Sequence, residues 1–426
     1  MKRIFEGKPI IYLIASIIPL LSISIFLADL ICSALAVLFL FYLIKSNFNF
    51  VYKNTFFIIS IIFYFVCVIS SIFSDDILFS LKSSLPLIRI ISFLFLLSYL
   101  ITFNKDLIDV FYNFIKVTFL ILILSGFVDY FYKYNLLADL GVADLYGRHI
   151  RLDLFVFISD EEKLGSFLVR IYGLFLALHI VKKNKSKNQN IFFFILTLLT
   201  AIIILLSGER TSLFFMILFS FICLILLNIK FKTKLIFLTL ISTCFFLLLF
   251  LNTNLSQRII GDKGNQFSFS KNEVIIFTPA HTAHYKAALK MFLDKPYLGH
   301  GPRMFRLICW DEIYNDCFFL VCGQSRACST HPHNTYVQLL AETGIIGTIL
   351  FTSGFIYITY TLLKHFLMLI FYRKRYLVDY QIVLSATVLI TFWPFSPSGN
   401  FFNNWMLIVY SIPLGFYINE FWRFKR

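Results

Sequence analysis

"IFFFILTLLTAIIILLSGERTSLFFMILFSFICLILL", residues 191–227, is apolar from end to end except for one polar interruption, Ser207-Gly208-Glu209-Arg210. The reading of that interruption decides how the whole chain is threaded. A bilayer is spanned by about 20 apolar residues in a helix, and this stretch is far longer. If it formed one bent helix, every later loop would change side. The basic runs "KFKTK" from Lys230 and "YRKR" from Tyr372 would then contradict the rule that positive loops stay in the cytoplasm. Two helices hinged at "SGER" remove the contradiction.

The rest of the chain repeats this chemistry. Hydrophobic residues make up 59%, charged residues 14%, and Phe alone occurs 54 times, against roughly 45–50% apolar and about 25% charged in soluble domains. The apolar runs predict an all-α polytopic membrane protein with about twelve spans, near 10–27, 30–44, 55–73, 85–103, 114–131, 164–181, 191–207, 211–229, 235–251, 337–362, 381–397 and 404–421. The alternating ten-residue strands of a β-barrel are absent. A cleaved signal peptide is not expected: the first run lacks a small-residue cleavage site and many spans follow it. Three regions result: helices 1–9 over residues 1–251, a large external loop over 252–336, and helices 10–12 over 337–426. The net charge of +15 collects in alternate loops, so it reads as a signal for orientation and not for nucleic acid. Both termini are expected in the cytoplasm, with the loop outside.

Four of the eight cysteines, Cys309, Cys317, Cys322 and Cys328, fall in that loop; Cys32, Cys67, Cys223 and Cys244 fall in apolar runs. Cysteines in an external loop suggest disulfides. Of the three possible pairings, the nested one, Cys309–Cys328 around Cys317–Cys322, closes a short inner hairpin and ties "GPRMFRLIC" to "CSTHPHN". Arg303 and Arg306 would then share one tethered unit with His333. A zinc site is the rival because His300, His331 and His333 are near, but the spacing matches no structural zinc pattern.

Ionisable residues in apolar runs are costly and mark cavities. Arg89, Asp129, Arg170, Glu209 and Arg210 all fall in the outer half of the membrane. Arginines at one depth suit a diphosphate, whose oxygens a guanidinium binds as a fork. The structural alternatives are snorkelling to headgroups, above all for Arg89, and pairing such as Asp129 with Arg170. "CSTHPHNTYVQLLAETGIIG", from Cys328 to Gly347, is where the loop re-enters the membrane. Ser329 or Thr330 could cap a helix there. Asn334, Gln338 and Glu342 recur every four residues as one polar stripe, and Gly344, Gly347 and Gly354 permit close helix approach. His333 at the helix start suits either a proton acceptor or a cap.

His333-Asn334 followed by Gly344-Ile-Ile-Gly347, together with "HYKAALKMFLDKPYLGHGPRMFRLIC", "SGERTSLFF" and "DEEKLGSFLVR", resembles the O-antigen ligase and O-antigen polymerase family of bacterial membrane glycosyltransferases. The likeness covers roughly residues 150 to 350. Where that family often carries an Arg before the aromatic residue of the loop helix, this chain has His281 before Tyr285. The resemblance implies glycan transfer from undecaprenyl diphosphate to an acceptor hydroxyl on the periplasmic face of the inner membrane, inverting and without metal, nucleotide or other cofactor. It implies His333 as base and Arg210 as diphosphate clamp. Arg170, Arg303, His281, Arg89, Asn334 and Glu342 are expected to bind or orient substrate. The acceptor is lipid A–core for a ligase or a growing glycan for a polymerase; a protein O-oligosaccharyltransferase remains open. A polysaccharide transporter would show internal repeats and a midplane site, and neither is found. Intramembrane arginines count against a purely structural scaffold.

Overall fold

The computed structural model describes residues 5, 7–45, 54–104, 106–139, 151–156, 158, 161–183, 185–235, 239, 242–243, 246, 250, 268–270, 273–275, 279–314 and 328–422. Among them are helices α1 (Lys8–Ala15), α2 (Ile17–Ile23), α3 (Ile25–Lys45), α4 (Thr55–Ile72), α5 (Ile77–Ser84), α6 (Leu87–Phe103), α7 (Leu107–Asp139), α8 (Leu164–Val181), α9 (Lys187–Leu206) and α10 (Arg210–Leu226). A two-stranded hairpin follows, β1 (Ser268–Ser270) antiparallel to β2 (Glu273–Ile275). Then come α11 (Pro279–Asp294), α12 (Phe305–Ile308), α13 (Thr335–Tyr372), α14 (Asp379–Thr391) and α15 (Asn404–Phe421). Seven helical segments among the described residues are long and apolar enough to cross a membrane. Shorter apolar helices lie over Lys8–Ile23, Arg210–Leu226 and Asp379–Thr391. The expected ninth span, 235–251, falls mostly outside the described residues.

The interruption at "SGER" does separate two helices. Gly208 takes φ +67°, a left-handed conformation that glycine adopts without a Cβ penalty. Gly165 and Ser166 at the start of α8 lie against Glu209 and Ser212. At the far end of α8, His179 meets Asn190 and Phe193, and halfway along Tyr172 touches both Thr197 and Phe219. So α9 and α10 run in opposite directions along α8, and the chain reverses at Gly208. One end of the bundle carries Lys182, Lys185 and the Arg375–Asp379 pair. The other carries Asp129, Glu209 and the start of α13.

Around the outside the helices present large apolar side chains, for example Phe26, Phe41, Ile195 and Ile356. Inside, a core of Phe, Leu and Ile is cross-linked by a few polar contacts, such as Trp405 Nε1 to the Leu21 carbonyl and Asn419 Nδ2 to the Ser98 carbonyl. Internal satisfaction of polar groups is what a lipid-exposed bundle requires.

The loop docks on α13 through a break in that helix. Gly344 has φ +63°, ψ −167°, and divides α13 into two pieces. The backbone groups released by the break are taken up by the turn after α11. His300 N–H bonds the Ala341 carbonyl at 3.0 Å, Gly301 N–H bonds the Glu342 carbonyl at 2.8 Å, and Ile345 N–H bonds the Pro296 carbonyl at 2.8 Å. Of the three glycines expected to allow close packing, Gly344 lies against the Tyr297 backbone, a Cβ on Gly347 would meet Thr343 of its own helix, and Gly354 faces open space. A Cβ on Gly344 would lie 2.3 Å from the Tyr297 carbonyl. Gly344→Ala is therefore expected to cost roughly 1–3 kcal/mol and to lower the thermal unfolding midpoint in detergent. Gly354→Ala should leave the midpoint level or raise it, since Ala favours helix. Equal behaviour of the two variants would count against the docked turn.

Candidate active site

Four imidazoles meet where the loop re-enters the bundle. His281 and His284 come from one face of α11; His331 and His333 come from the segment leading into α13. The ring of His333 lies 4.2 Å from that of His331 and 5.5 Å from each of the other two, centre to centre. Pro332 and the capping residue Asn334 flank His333, whose backbone is left-handed at φ +58°. Its carbonyl accepts the Ser398 N–H at 2.8 Å.

The two neighbouring histidines are used differently. His331 is pinned: Nε2 donates to the Ser398 carbonyl at 3.2 Å, so Nδ1 accepts from the Thr330 hydroxyl at 2.9 Å. The His333 ring is half-buried and makes no hydrogen bond among the described residues. Burial, then the imidazoles of His331, His284 and His281, push its pKa down to about 3. Burial is also the main cause for His331, at about 4, with Arg306, His284 and Lys163 adding to it and the Ser398 carbonyl opposing. His333 is thus neutral at physiological pH, with one ring nitrogen available to accept a proton.

The arginines sort by partner. Arg89 is engaged through one nitrogen by Asp29 at 3.0 Å and Ser33 at 2.6 Å, a tie between α3 and α6. Asp129 pairs with Lys133 and accepts the Asp153 N–H, so it does not balance Arg170. Arg170 is 6% exposed and sits between the rings of Phe215 and Tyr410, with one nitrogen on the Ser166 carbonyl and its Nε without a partner. Arg210 opens α10. Its neighbour Glu209 does not pair with it: that carboxylate accepts the N–H groups of Gly165 and Ser166 and the hydroxyls of Ser166 and Ser212, capping α8. Arg303, left-handed at φ +64°, and Arg306 stand beside each other with their Nε atoms unpartnered. Burial and the Arg306 charge press the Arg303 pKa downward, and Glu342 offsets part of this.

Two residues expected to orient substrate make several hydrogen bonds within the protein. Asn334 Oδ1 caps α13 by accepting the Tyr336 and Val337 N–H groups, and its amide donates to the carbonyls of Pro394 and Ser396. The cap is therefore Asn334, not Ser329 or Thr330. Glu342, fully buried, accepts the Phe305 N–H at 3.1 Å and the Gln338 amide at 2.9 Å. The expected polar stripe is a brace: it holds the turn bearing Arg303 on one side and, through Gln338 and Asn400, the loop between α14 and α15 on the other.

That loop, with Ser396, Ser398 and Asn400, was missed by sequence reasoning, although "PFSPSGN" carries every mark of a turn. His284 was missed too; its signal was the i, i+3 spacing from His281. Arg170, Thr335, Ser396, Ser398 and Tyr410 line one small cavity, so Ser398 links Arg170 to His333. The same Tyr410, with Phe351 and Phe392, also lines an apolar cavity of about 440 Å³ between α4, α6, α13 and α15, which extends to Trp422 near the opposite end. Among the described residues, no three His, Cys, Asp or Glu side chains are arranged to hold a metal ion.

Cys309 and Cys328 are joined by a disulfide, their Cα atoms 5.3 Å apart. Cys317 and Cys322 lie outside the described residues. Both bonded sulfurs belong to a small loop core with Ala287, Met291, Met304 and Phe305. The bond closes a separation of 19 residues, which is worth about 3 kcal/mol. Reduction should speed hydrogen exchange over 279–334 while leaving α3 to α10 protected. Unchanged exchange in the loop would count against a tethering role.

Among curated proteins none matches the chain significantly. Residues 195–352, which contain Arg210, His281, Arg303, His333 and Glu342 but neither Arg170 nor the 392–403 loop, match the family described as O-antigen ligase. That match, in a chain with several helices long and apolar enough to cross a membrane, makes the segment that carries His333 similar to the O-antigen ligase family.

Proposed function

We propose that the protein is an inverting membrane glycosyltransferase that moves a glycan from undecaprenyl diphosphate to a sugar hydroxyl, with lipid A–core as acceptor. The observation that carries this reading is the half-buried His333 ring, without a hydrogen bond among the described residues, whose backbone is tied to Ser398 of the small cavity beside Arg170; that cavity shares Tyr410 with the large apolar one. The polyprenyl tail fits the apolar cavity and the diphosphate fits beside Arg170 and Arg210.

His333 takes the proton of the acceptor hydroxyl as its oxygen attacks the anomeric carbon. The carbon–oxygen bond to the diphosphate breaks, and its electron pair leaves with the phosphate. The arginines stabilise that growing charge in a site poor in water, where such help is largest. Without donor, His333 is a weak base; a bound dianion raises its pKa toward the working range. No step in this scheme uses a metal or cofactor. The basic loops support cytoplasmic termini in the inner membrane, with the histidines facing the periplasm.

A deletion strain tests the assignment. Glycan left on the lipid carrier with all capped lipopolysaccharide lost is the ligase result. A single repeat unit on lipid A–core would replace it with the polymerase reading. Normal capped lipopolysaccharide with unglycosylated protein would point to protein O-glycosylation.

A further inference from the structure

We propose that Ser398, in the loop between α14 and α15, is a positioning residue for the transfer: it holds the backbone on both sides of His333 and so sets where that ring stands. The inference rests on the reading of His333 as the base.

Ser398 bonds to three alternate residues. Its N–H donates to the His333 carbonyl at 2.8 Å. Its carbonyl accepts Nε2–H of His331 at 3.2 Å. Its hydroxyl lies 2.9 Å from the hydroxyl of Thr335. The neighbours of Ser398 continue the seam. The Asn334 amide donates to the carbonyls of Pro394 at 2.7 Å and Ser396 at 3.3 Å. Gln338 donates to Asn400 Oδ1 and accepts the Phe401 N–H, each at 2.9 Å. The loop therefore lies along the start of α13 and touches it on both sides of the base.

The chemistry of the loop points to positioning. Between Phe392 and Asn403 there is no Asp, Glu, Lys, Arg or His. The loop brings no charge to a phosphate and no group that takes a proton near neutrality. What it offers is backbone and hydroxyls. Its ends are fixed, because α14 stops at Thr391 and Asn403 caps α15 by accepting the Trp405 N–H. Both helices are buried in the bundle. His333 needs such a support: its φ of +58° is a conformation that a non-glycine residue keeps only when its surroundings enforce it. The membrane bundle thus dictates the place of His333 through Ser398, from the side opposite the Cys309–Cys328 tether. A general base acts over a narrow range of distance and angle, so a small displacement slows the chemistry more than it weakens binding.

The test measures single-turnover transfer and donor Kd on the full chain in nanodiscs. The donor is a prenyl diphospho-N-acetylglucosamine and the acceptor is lipid A–core. Ser398→Ala removes the hydroxyl and should slow transfer about 5- to 10-fold, with Kd within about twofold of wild type. Ser398→Thr keeps the hydroxyl and should restore the rate. Ser398→Pro removes the N–H that holds His333 and should cost roughly 10²-fold in rate. Its thermal unfolding midpoint shows whether it is folded; if it is not, Ser398→Ala decides. Wild-type turnover in Ser398→Ala, or a loss that Ser398→Thr does not restore, would overturn the proposal. So would a loss of donor binding as large as the loss in rate. An inactive His333→Asn beside a fully active Ser398→Ala would remove this proposal alone. Full turnover in His333→Asn, or no transfer by wild type, would overturn the reading beneath it and this proposal as well.

Discussion

Replacing His333 is expected to lower the rate of transfer by roughly 10²–10⁴-fold while donor binding persists, the usual cost of removing a positioned base. The left-handed backbone at His333, φ +58°, makes the choice of variant important. Ala is strained there, whereas Asn adopts this region readily. His333→Asn should therefore insert and unfold like wild type yet be as inactive as His333→Ala. His331→Ala should be milder in rate, because its ring already bonds Thr330 and Ser398; its larger effect should fall on stability. The measurement is single-turnover transfer in purified nanodiscs, with thermal unfolding as control. Near-normal turnover in His333→Asn, or equal loss in both positions, would remove His333 from the role of base.

Arg210→Lys is expected to lose roughly 10²-fold or more in turnover, close to Arg210→Ala, since lysine keeps the charge and loses the bidentate fork. Glu209 is bonded to Gly165, Ser166 and Ser212, so an ion pair with Glu209 does not account for Arg210. Arg170→Ala should instead weaken donor binding more than it slows chemistry, because Arg170 lies beside the apolar cavity and not among the histidines. The pair is separated by measuring Kd for a prenyl diphosphate and single-turnover rate in each variant. Wild-type rates in Arg210→Lys would mean that charge alone is required there.

Local pattern carried some of these features and failed at others for identifiable reasons. The reversal at Gly208 was readable because a polar break in a long apolar run leaves few alternatives in lipid. The bounds of α8, 164–181, were readable from hydropathy. Arg89 was not: its partner Asp29 is 60 residues away, and nothing local to either announces the pair. Asn334 and Glu342 were flagged as polar residues at a membrane mouth. Their partners, Pro394, Ser396 and Phe305, come from distant segments and were not readable from the local pattern.

By itself the sequence determined that this is a helical membrane protein, that its chain reverses at Gly208, and that a polar re-entrant segment around His333 differs from everything near it. Those properties follow from length, hydropathy and charge, which act residue by residue along the chain. Only the tertiary structure decided which polar groups face the cavity. A buried hydrogen-bonding group must be satisfied by whatever backbone or side chain folding brings beside it. Hence the contacts of the loop at 394–400 with Asn334 and Gln338, the break at Gly344 and the meeting of four histidines from two segments appear only in the folded chain.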